Sequence, residues 1–252
     1  MEGYRDTSYG DAFADVYDDW YGDLGDLDTM VTTLADLADL ADLAELVGGG
    51  PILELGVGTG RVALPLAARG LEVHGVDASR AMLARLAGKP GGDRVRTVAG
   101  DMVDDLPPGP FALAFVAYNT LFNLRSAARQ AACFRAVATR LRPGGVFVVE
   151  AFVPAADGTR EHVGVRSLSA DRVVLAVSRT DPVTQTAEGQ YVEFTEAGGV
   201  RLRPWSIRWS TLAELDAMAR EAGLHVDQRW EGFDRAPFGP ESSRHVTVYR
   251  RT

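Results

Sequence analysis

Residues 54–60 read Glu-Leu-Gly-Val-Gly-Thr-Gly and follow the apolar run Pro51-Ile52-Leu53, and the next apolar run closes on Val76-Asp77. No other stretch of the chain constrains the fold so tightly. Three glycines at a strand-to-helix turn remove the side chains that would keep a ligand off the backbone, while the following helix aims unpaired N–H groups at the same point. An acidic residue roughly 20 positions on then reaches two ribose hydroxyls. A nucleoside-type ligand is therefore expected at the end of the first strand. The spacing is Gly-x-Gly-x-Gly, whereas the dinucleotide fingerprint is Gly-x-Gly-x-x-Gly, and no Lys-Ser or Lys-Thr follows as a P-loop requires. Both phosphate-binding readings weaken, and a plain tight turn remains the bland alternative.

Three later segments extend the pattern. Val98-Ala99-Gly100-Asp101-Met102 is a further β-type run closed by an acidic residue. Residues 111–117 form an apolar strand that opens onto Tyr118-Asn119-Thr120-Leu121-Phe122-Asn123, and Leu141-Arg142-Pro143-Gly144-Gly145 reads as a helix stop before the strand Val146 to Glu150. From residue 51 strands and helices alternate: helix 60–69, strand 72–76, helix 79–88, strands 95–99 and 111–117, helix 126–141, strand 145–153. Such alternation predicts a doubly wound parallel sheet with ligands beyond the carboxyl ends of its strands. After Pro154 three short alternating runs, 172–178, 190–194 and 200–209, predict a small antiparallel sheet. A capped helix from Thr211 to Ala222 and two final strands, 224–233 and 245–250, complete the chain.

Taken together, Glu54-x-Gly-x-Gly-x-Gly60, Asp77, Gly100-Asp101-Met102 and Leu141-Arg-Pro-Gly-Gly145 resemble the class I S-adenosylmethionine-dependent methyltransferases. The resemblance is specific over residues 51–153 and looser over the first 50 and last 45. It implies an α/β fold: a Rossmann-like, doubly wound, seven-stranded sheet with an antiparallel last strand, plus the small antiparallel β insert. It divides the chain into an N-terminal helical cover (1–50), the cofactor-binding core (51–154), the β insert (155–210), and a last helix and hairpin completing the core sheet (211–252). The cofactor is then S-adenosyl-L-methionine, leaving as S-adenosyl-L-homocysteine. By the same resemblance Gly56, Gly58 and Gly60 line its methionine part, Asp77 and Ala78 the ribose, and Met82 and Asp101 the adenine. Glu54, Gly100, Met102 and Ala117 support that pocket.

Residues 4–21 carry Tyr4, Tyr9, Phe13, Tyr17, Trp20 and Tyr21 among many aspartates, more aromatics than a disordered tail holds. Two readings stand: a lid over the cofactor with Tyr9 and Tyr17 as cover contacts, or a helix docked on the sheet. Residues 34–46 place Leu34, Leu37, Leu40, Leu43 and Leu46 three apart, so the stripe drifts around a 3.6-residue helix. It is read as structural.

Composition excludes several function classes. A net charge of −9 opposes non-specific binding to nucleic acid. No run approaches the roughly 20 apolar residues of a membrane span, and the N-terminus lacks a signal-peptide order, which predicts a cytoplasmic protein. Cys133 is the only cysteine, so neither disulfides nor a cysteine-based zinc site are expected. Arg201, Arg203 and Arg208 alternate along a strand and read as a solvated face before a phosphate site.

Methyl transfer from a sulfonium is an in-line displacement that depends mainly on proximity. A hydroxyl acceptor benefits from a general base, and His245, at the mouth of the last strand, is the candidate for it. Its alternative is a structural histidine. Tyr118, Asn119 and Phe122 are expected to wall the acceptor site; Trp205, Trp209, Trp230 and Phe233 offer aromatic surface, and the loop 234–244 brings Arg235 and Phe238 near it. No metal is expected, because the fourth strand ends on Tyr118-Asn119 rather than an acidic pair. The expected reaction is methylation of an amine or hydroxyl of a small molecule, without a nucleic-acid or membrane partner, resembling the sugar N-methyltransferases of bacterial secondary metabolism. The rival readings are a cofactor-binding protein of this fold without methyl transfer, and an NAD-dependent oxidoreductase.

Overall fold

The computed structural model of the chain describes residues 1–22, 25–41, 50–154 and 160–252. Strands β1 (Ile52–Leu55) and β4 (Phe111–Val116) are buried along their whole length. A strand covered on both faces has no solvent side to mark with polar residues, which is why both read as unbroken apolar runs. They lie at the centre of a seven-stranded sheet. Its order is β10 (Leu224–Trp230), β11 (Arg244–Arg251), β5 (Leu141–Phe152), β4, β1, β2 (Val73–Asp77), β3 (Val95–Ala99). Strands β1 to β5 pair in parallel, and β11 runs antiparallel to both of its neighbours. The strand order reverses between β1 and β4, so a crevice opens beyond their carboxyl ends.

Alternate residues of these strands feed two cores. Ile52, Leu113, Phe115, Val146, Val148 and Val246 face α3 (Leu27–Ala41), α4 (Ala63–Ala68) and α5 (Arg80–Ala87). Leu53, Leu55, Ala114, Phe147, Val149 and Tyr249 face α6 (Ala127–Arg140) and α7 (Leu212–Glu221). The latter helix starts on a complete capping box, Thr211 with Glu214. Helix α3 buries Met30, Val31, Leu34, Leu37 and Ala38, a helical stripe rather than a three-residue one; Leu43 and Leu46 lie outside the described residues.

The insert is a separate four-stranded antiparallel sheet, β6 (Arg160–Leu168), β7 (Arg172–Asp181), β8 (Thr186–Thr195) and β9 (Val200–Arg208). Three of these strands were expected. The fourth, β6, escaped because Gly164 and a bulge at Arg166 interrupt its alternation. At the N-terminus residues 4–21, for which a lid and a docked helix were the two readings, form two short helices and are followed by α3. Short helices α1 (Ser8–Phe13) and α2 (Tyr17–Tyr21) lie against the crevice, whereas α3 docks on the sheet. Among the described residues no helix is long and apolar enough to cross a membrane.

Candidate active site

The turn after β1 folds as its glycines require. Gly56, Gly58 and Gly60 have φ of +70°, +53° and +80°, a region that costs an L side chain roughly 1–2 kcal/mol. A Cβ on Gly56 would also lie 2.4 Å from Thr120 Cγ2. The loop is held from β2: Gly56 and Val57 N–H donate to the Val76 carbonyl at 2.8 and 3.1 Å, and Gly58 N–H donates to Asp77 Oδ2 at 2.8 Å. The second oxygen of Asp77 accepts from Ser79 N–H at 2.8 Å, at the start of α5. Asp77 thus ties together the two turns that face the crevice. Burial lifts its pKa, partly offset by these two N–H groups. Glu54, at the root of the loop, is fully enclosed, and its Oε2 has no hydrogen-bond partner among the described residues. Burial first, and the nearby Asp77 second, push its pKa well up.

The crevice is lined by Gly56, Gly58, Asp77, Ala78, Ser79, Met82, Asp101, Met102, Thr120, Asn123 and Leu124, and from the N-terminal segment by Asp6, Tyr9, Gly10 and Tyr17. The segment fits closely: Ser79 Oγ donates to Asp11 Oδ1 at 2.7 Å, and a Cβ on Gly10 would meet Ser79 Cβ at 2.4 Å. Its outer side is latched to the insert. Arg203, 1% exposed, bonds Asp15 Oδ1 at 2.6 Å, Glu193 Oε2 at 3.0 Å and the Ala12 carbonyl, and its guanidinium lies over the Trp20 ring. Arg201 reaches the same Asp15 at 2.8 Å. The arginines expected on a solvated face therefore include the largest fully buried side chain. Tyr9 stacks on Phe13 at 4.4 Å, and burial raises the hydroxyl pKa of both Tyr9 and Tyr17.

A second cavity, of about 450 Å³, opens at the ends of β4, β5 and β11, well within the range of small-molecule sites. Met30, Ala151, Phe152 and Phe233 give it an apolar side, and Asp26, Glu150, Asp234 and Arg244 give it charge. The turn after β4 separates the two spaces. Tyr118 and Asn119 line the cavity, while Thr120, Asn123 and Leu124 line the crevice. Both Tyr118 and Asn119 have positive φ, 52° and 64°, and are pinned there from β5. Tyr118 N–H donates to Glu150 Oε2 at 3.0 Å, and Asn119 Oδ1 accepts from Phe152 N–H at 2.7 Å. The Arg61 guanidinium covers the Tyr118 ring at 4.5 Å. Burial raises the Glu150 pKa, against the Tyr118 N–H and the charges of Arg244 and Arg61.

Of the expected cofactor residues, Tyr9, Tyr17, Gly56, Gly58, Asp77, Ala78, Met82, Asp101 and Met102 line the crevice together. Glu54, Gly60, Gly100 and Ala117 stand behind it; a Cβ on Gly100 would meet Asp105 at 2.4 Å, so that glycine serves the turn. One Asp101 oxygen is already engaged, by Arg129 at 2.6 Å and Val103 N–H at 2.7 Å. Of the acceptor residues, Tyr118 and Asn119 line the cavity, but Phe122 is buried behind it against Phe152 at 5.2 Å. Trp205 lies on the inner face of the insert against Gly189. Arg235 turns outward to Asp36 at 3.1 Å and over the Trp230 ring.

His245 is the main correction. Side chains alternate along β11, and it is Arg244 that faces the cavity. His245 is 1% exposed on the opposite face, its Nδ1 2.9 Å from Thr247 Oγ1. Burial, with Arg229 nearby, lowers its pKa to about 4. It lines neither space. The residues missed were Arg61, Ser79, Thr120, Glu150 and Arg244. Glu150 carried a usable signal, an acidic residue closing an apolar strand as Asp77 does.

A family model described as "Methyltransferase domain" matches residues 52–145. The cypemycin N-terminal methyltransferase of a Streptomyces species is 32% identical over 209 residues, 81% of this chain and 84% of that protein. The chain belongs to the class I S-adenosylmethionine-dependent methyltransferases. The CcbJ methyltransferase from Streptomyces caelestis is similar over 99% of this chain and 100% of its own, with 41% identity and a TM-score of 0.85. CalS10 from Micromonospora echinaspora, an amino pentose methyltransferase described with its S-adenosylmethionine bound, is 25% identical over 94% and 97% of the two chains, with a TM-score of 0.69. The methyltransferase crevice fits that cofactor on its own geometry. Its glycine cradle has no room for a Cβ at residue 56, the Asp77 carboxylate lines it beside the start of α5, and the unpaired Oε2 of Glu54 lies buried at the root of the loop. The nicotinamide alternative falls with this assignment.

Proposed function

We propose that this methyltransferase methylates an amine nitrogen of a small molecule in bacterial secondary metabolism. The observation that carries the proposal is the cavity of about 450 Å³ across the 118–119 wall, with Glu150 set into that wall. Bound S-adenosylmethionine supplies an electrophilic methyl group on a sulfonium. The chain's part is to hold the acceptor in line with that group and to take its proton.

Tyr118 and Asn119, fixed in positive φ by Glu150 and by the Phe152 N–H, set the distance between the two spaces. Glu150 spends Oε2 on the Tyr118 N–H, which leaves Oε1 for the acceptor's N–H. The acceptor nitrogen, held in line, would take the methyl group that the sulfonium supplies as its leaving sulfur keeps the bonding electrons, and Glu150 would take the proton the nitrogen gives up. A carboxylate whose pKa is raised by burial is the better proton acceptor. Most of the acceleration comes from proximity. Asp26, Glu150 and Asp234 against Arg244 give the cavity an acidic balance suited to amines. The name of one relative, an N-terminal methyltransferase, supports the same atom, and that of another, an amino pentose methyltransferase, supports an amine-bearing acceptor.

The test is a panel of small amines, each matched with the alcohol of the same skeleton, incubated with the enzyme and S-adenosylmethionine and read by mass spectrometry. The proposal expects methylated product from amines only. Turnover of the alcohols at equal or higher rate would overturn it.

A further inference from the structure

The outer face of the four-stranded insert is built the wrong way round for a surface exposed to water. Directly paired residues point to the same side of a sheet, so the register gives that face row by row. One row is Val163, Val177, Gln190 and Pro204; the next is Val165, Leu175, Val192 and Leu202; the third is Leu168, Val173, Phe194 and Val200. Eleven of these twelve positions are apolar, which decides that the face is not a random scatter of exposed side chains. Leu168, Val163 and Val165 are 77%, 70% and 64% exposed, and Leu202, Val200, Phe194 and Val177 are exposed as well. The charge that an antiparallel sheet normally turns to solvent sits on the inner face instead, in Arg203, Glu193 and Arg166.

We propose that this face is the dimer interface of the protein, occupied by the same face of a second copy. Four strands about 4.8 Å apart and three rows about 6.8 Å apart give an apolar patch of roughly 400 Å² in plan. A two-fold axis buries it twice, roughly 800 Å², and side-chain relief with the flanking row brings the total toward the ~1,200 Å² at which specific interfaces begin. An axis along the strands lays β7 of one copy over β8 of the other. Every apolar row then meets itself; in the flanking row Glu188 is already paired with Arg179 and the Met1 ammonium of its own chain, so the apolar rows carry the contact. Apolar sheet faces pack in aligned sandwiches about 10 Å apart. A patch whose apolar rows each meet themselves is what an isologous contact needs.

The experiment is light scattering on the eluting protein, wild type beside Val165→Glu/Leu202→Lys, with Val226→Lys as a control at an exposed apolar position of β10. Wild type and control are expected at twice the 27.1 kDa chain mass, and the double variant at 27.1 kDa. Circular dichroism should match in all three, since both substituted positions on the face are exposed. Wild type at 27.1 kDa, a double variant that keeps the wild-type mass, or a control that also dissociates would each overturn the proposal. So would a monomeric wild type that instead sediments with phospholipid vesicles, which would assign the face to a membrane surface.

Discussion

The crevice and the cavity sit on two sides of one seven-residue turn, yet they are made of different material. The crevice is founded on backbone: Gly56 and Gly58 with positive φ, the N–H groups that Asp77 gathers, and the start of α5, with side chains such as Tyr9, Met82 and Asp101 around them. The cavity is side chain, drawn from α3, the end of β4, the end of β5, the loop after β10 and the start of β11. Backbone sites need particular residues at fixed short spacing, because only glycine tolerates those dihedrals and that proximity. Side-chain sites need only that distant segments converge, so their residues are free to change with the acceptor. The difference teaches why the crevice announces itself in the sequence and the cavity does not.

Four substitutions break or sharpen that contrast. Gly56→Ala has the largest expected effect: a Cβ at positive φ, 2.4 Å from Thr120 Cγ2, costs about 3 kcal/mol in strain and overpacking. Affinity for S-adenosylhomocysteine should fall by about 100-fold, and Thr120→Ser, which removes that methyl, should restore part of it; unchanged affinity in the single variant would mean the loop is not the cradle. Arg203→Met comes next. It leaves Asp15 with Arg201 alone and Glu193 with Arg172 alone, and urea unfolding should show a loss of about 2 kcal/mol. Cofactor affinity should fall with it, because the latch holds the segment that carries Tyr9 and Tyr17; a loss of stability alone would detach the latch from the crevice.

Asp77→Asn keeps the shape and removes the charge. Calorimetry should show cofactor binding weaker by about 1.5–3 kcal/mol, and no change would sink its ribose role. The smallest effect at neutral pH belongs to His245→Gln. In the unfolded chain the imidazole takes up a proton near its ordinary 6.5, but in the folded protein only near 4. Its folded pKa is depressed, so it costs nothing above pH 6.5 and removes up to roughly 3 kcal/mol of stability as the pH falls toward 4. His245→Gln should flatten urea midpoints across that window and leave turnover at pH 7.5 intact. A variant without activity at pH 7.5 would return His245 to the chemistry.

The contrast also explains what the sequence revealed. The central strands were legible because burial on both faces leaves unbroken apolar runs, and the crevice because Gly56, Gly58 and Asp77 stand at fixed offsets from them. Arg244 and His245 were not separable. Strand β11 is buried on both sides, so nothing in its composition says which parity faces the cavity, and the reading fell on the residue of more familiar chemistry. Glu150 was visible as an acidic strand end and was passed over. Arg201 and Arg203 misled for the opposite reason: alternation gives two faces of a strand but not which one meets water, and here the N-terminal helices claimed the charged one.

The central claim is that the cofactor and the acceptor occupy separate spaces on either side of the 118–124 turn. Isothermal titration of S-adenosylhomocysteine into Glu150→Gln/Arg244→Ala, alongside turnover of an amine acceptor by the same protein, tests it most directly. The account predicts wild-type affinity for S-adenosylhomocysteine with turnover reduced by at least about 10-fold. A parallel loss of S-adenosylhomocysteine binding would place the cavity within the cofactor site and contradict it.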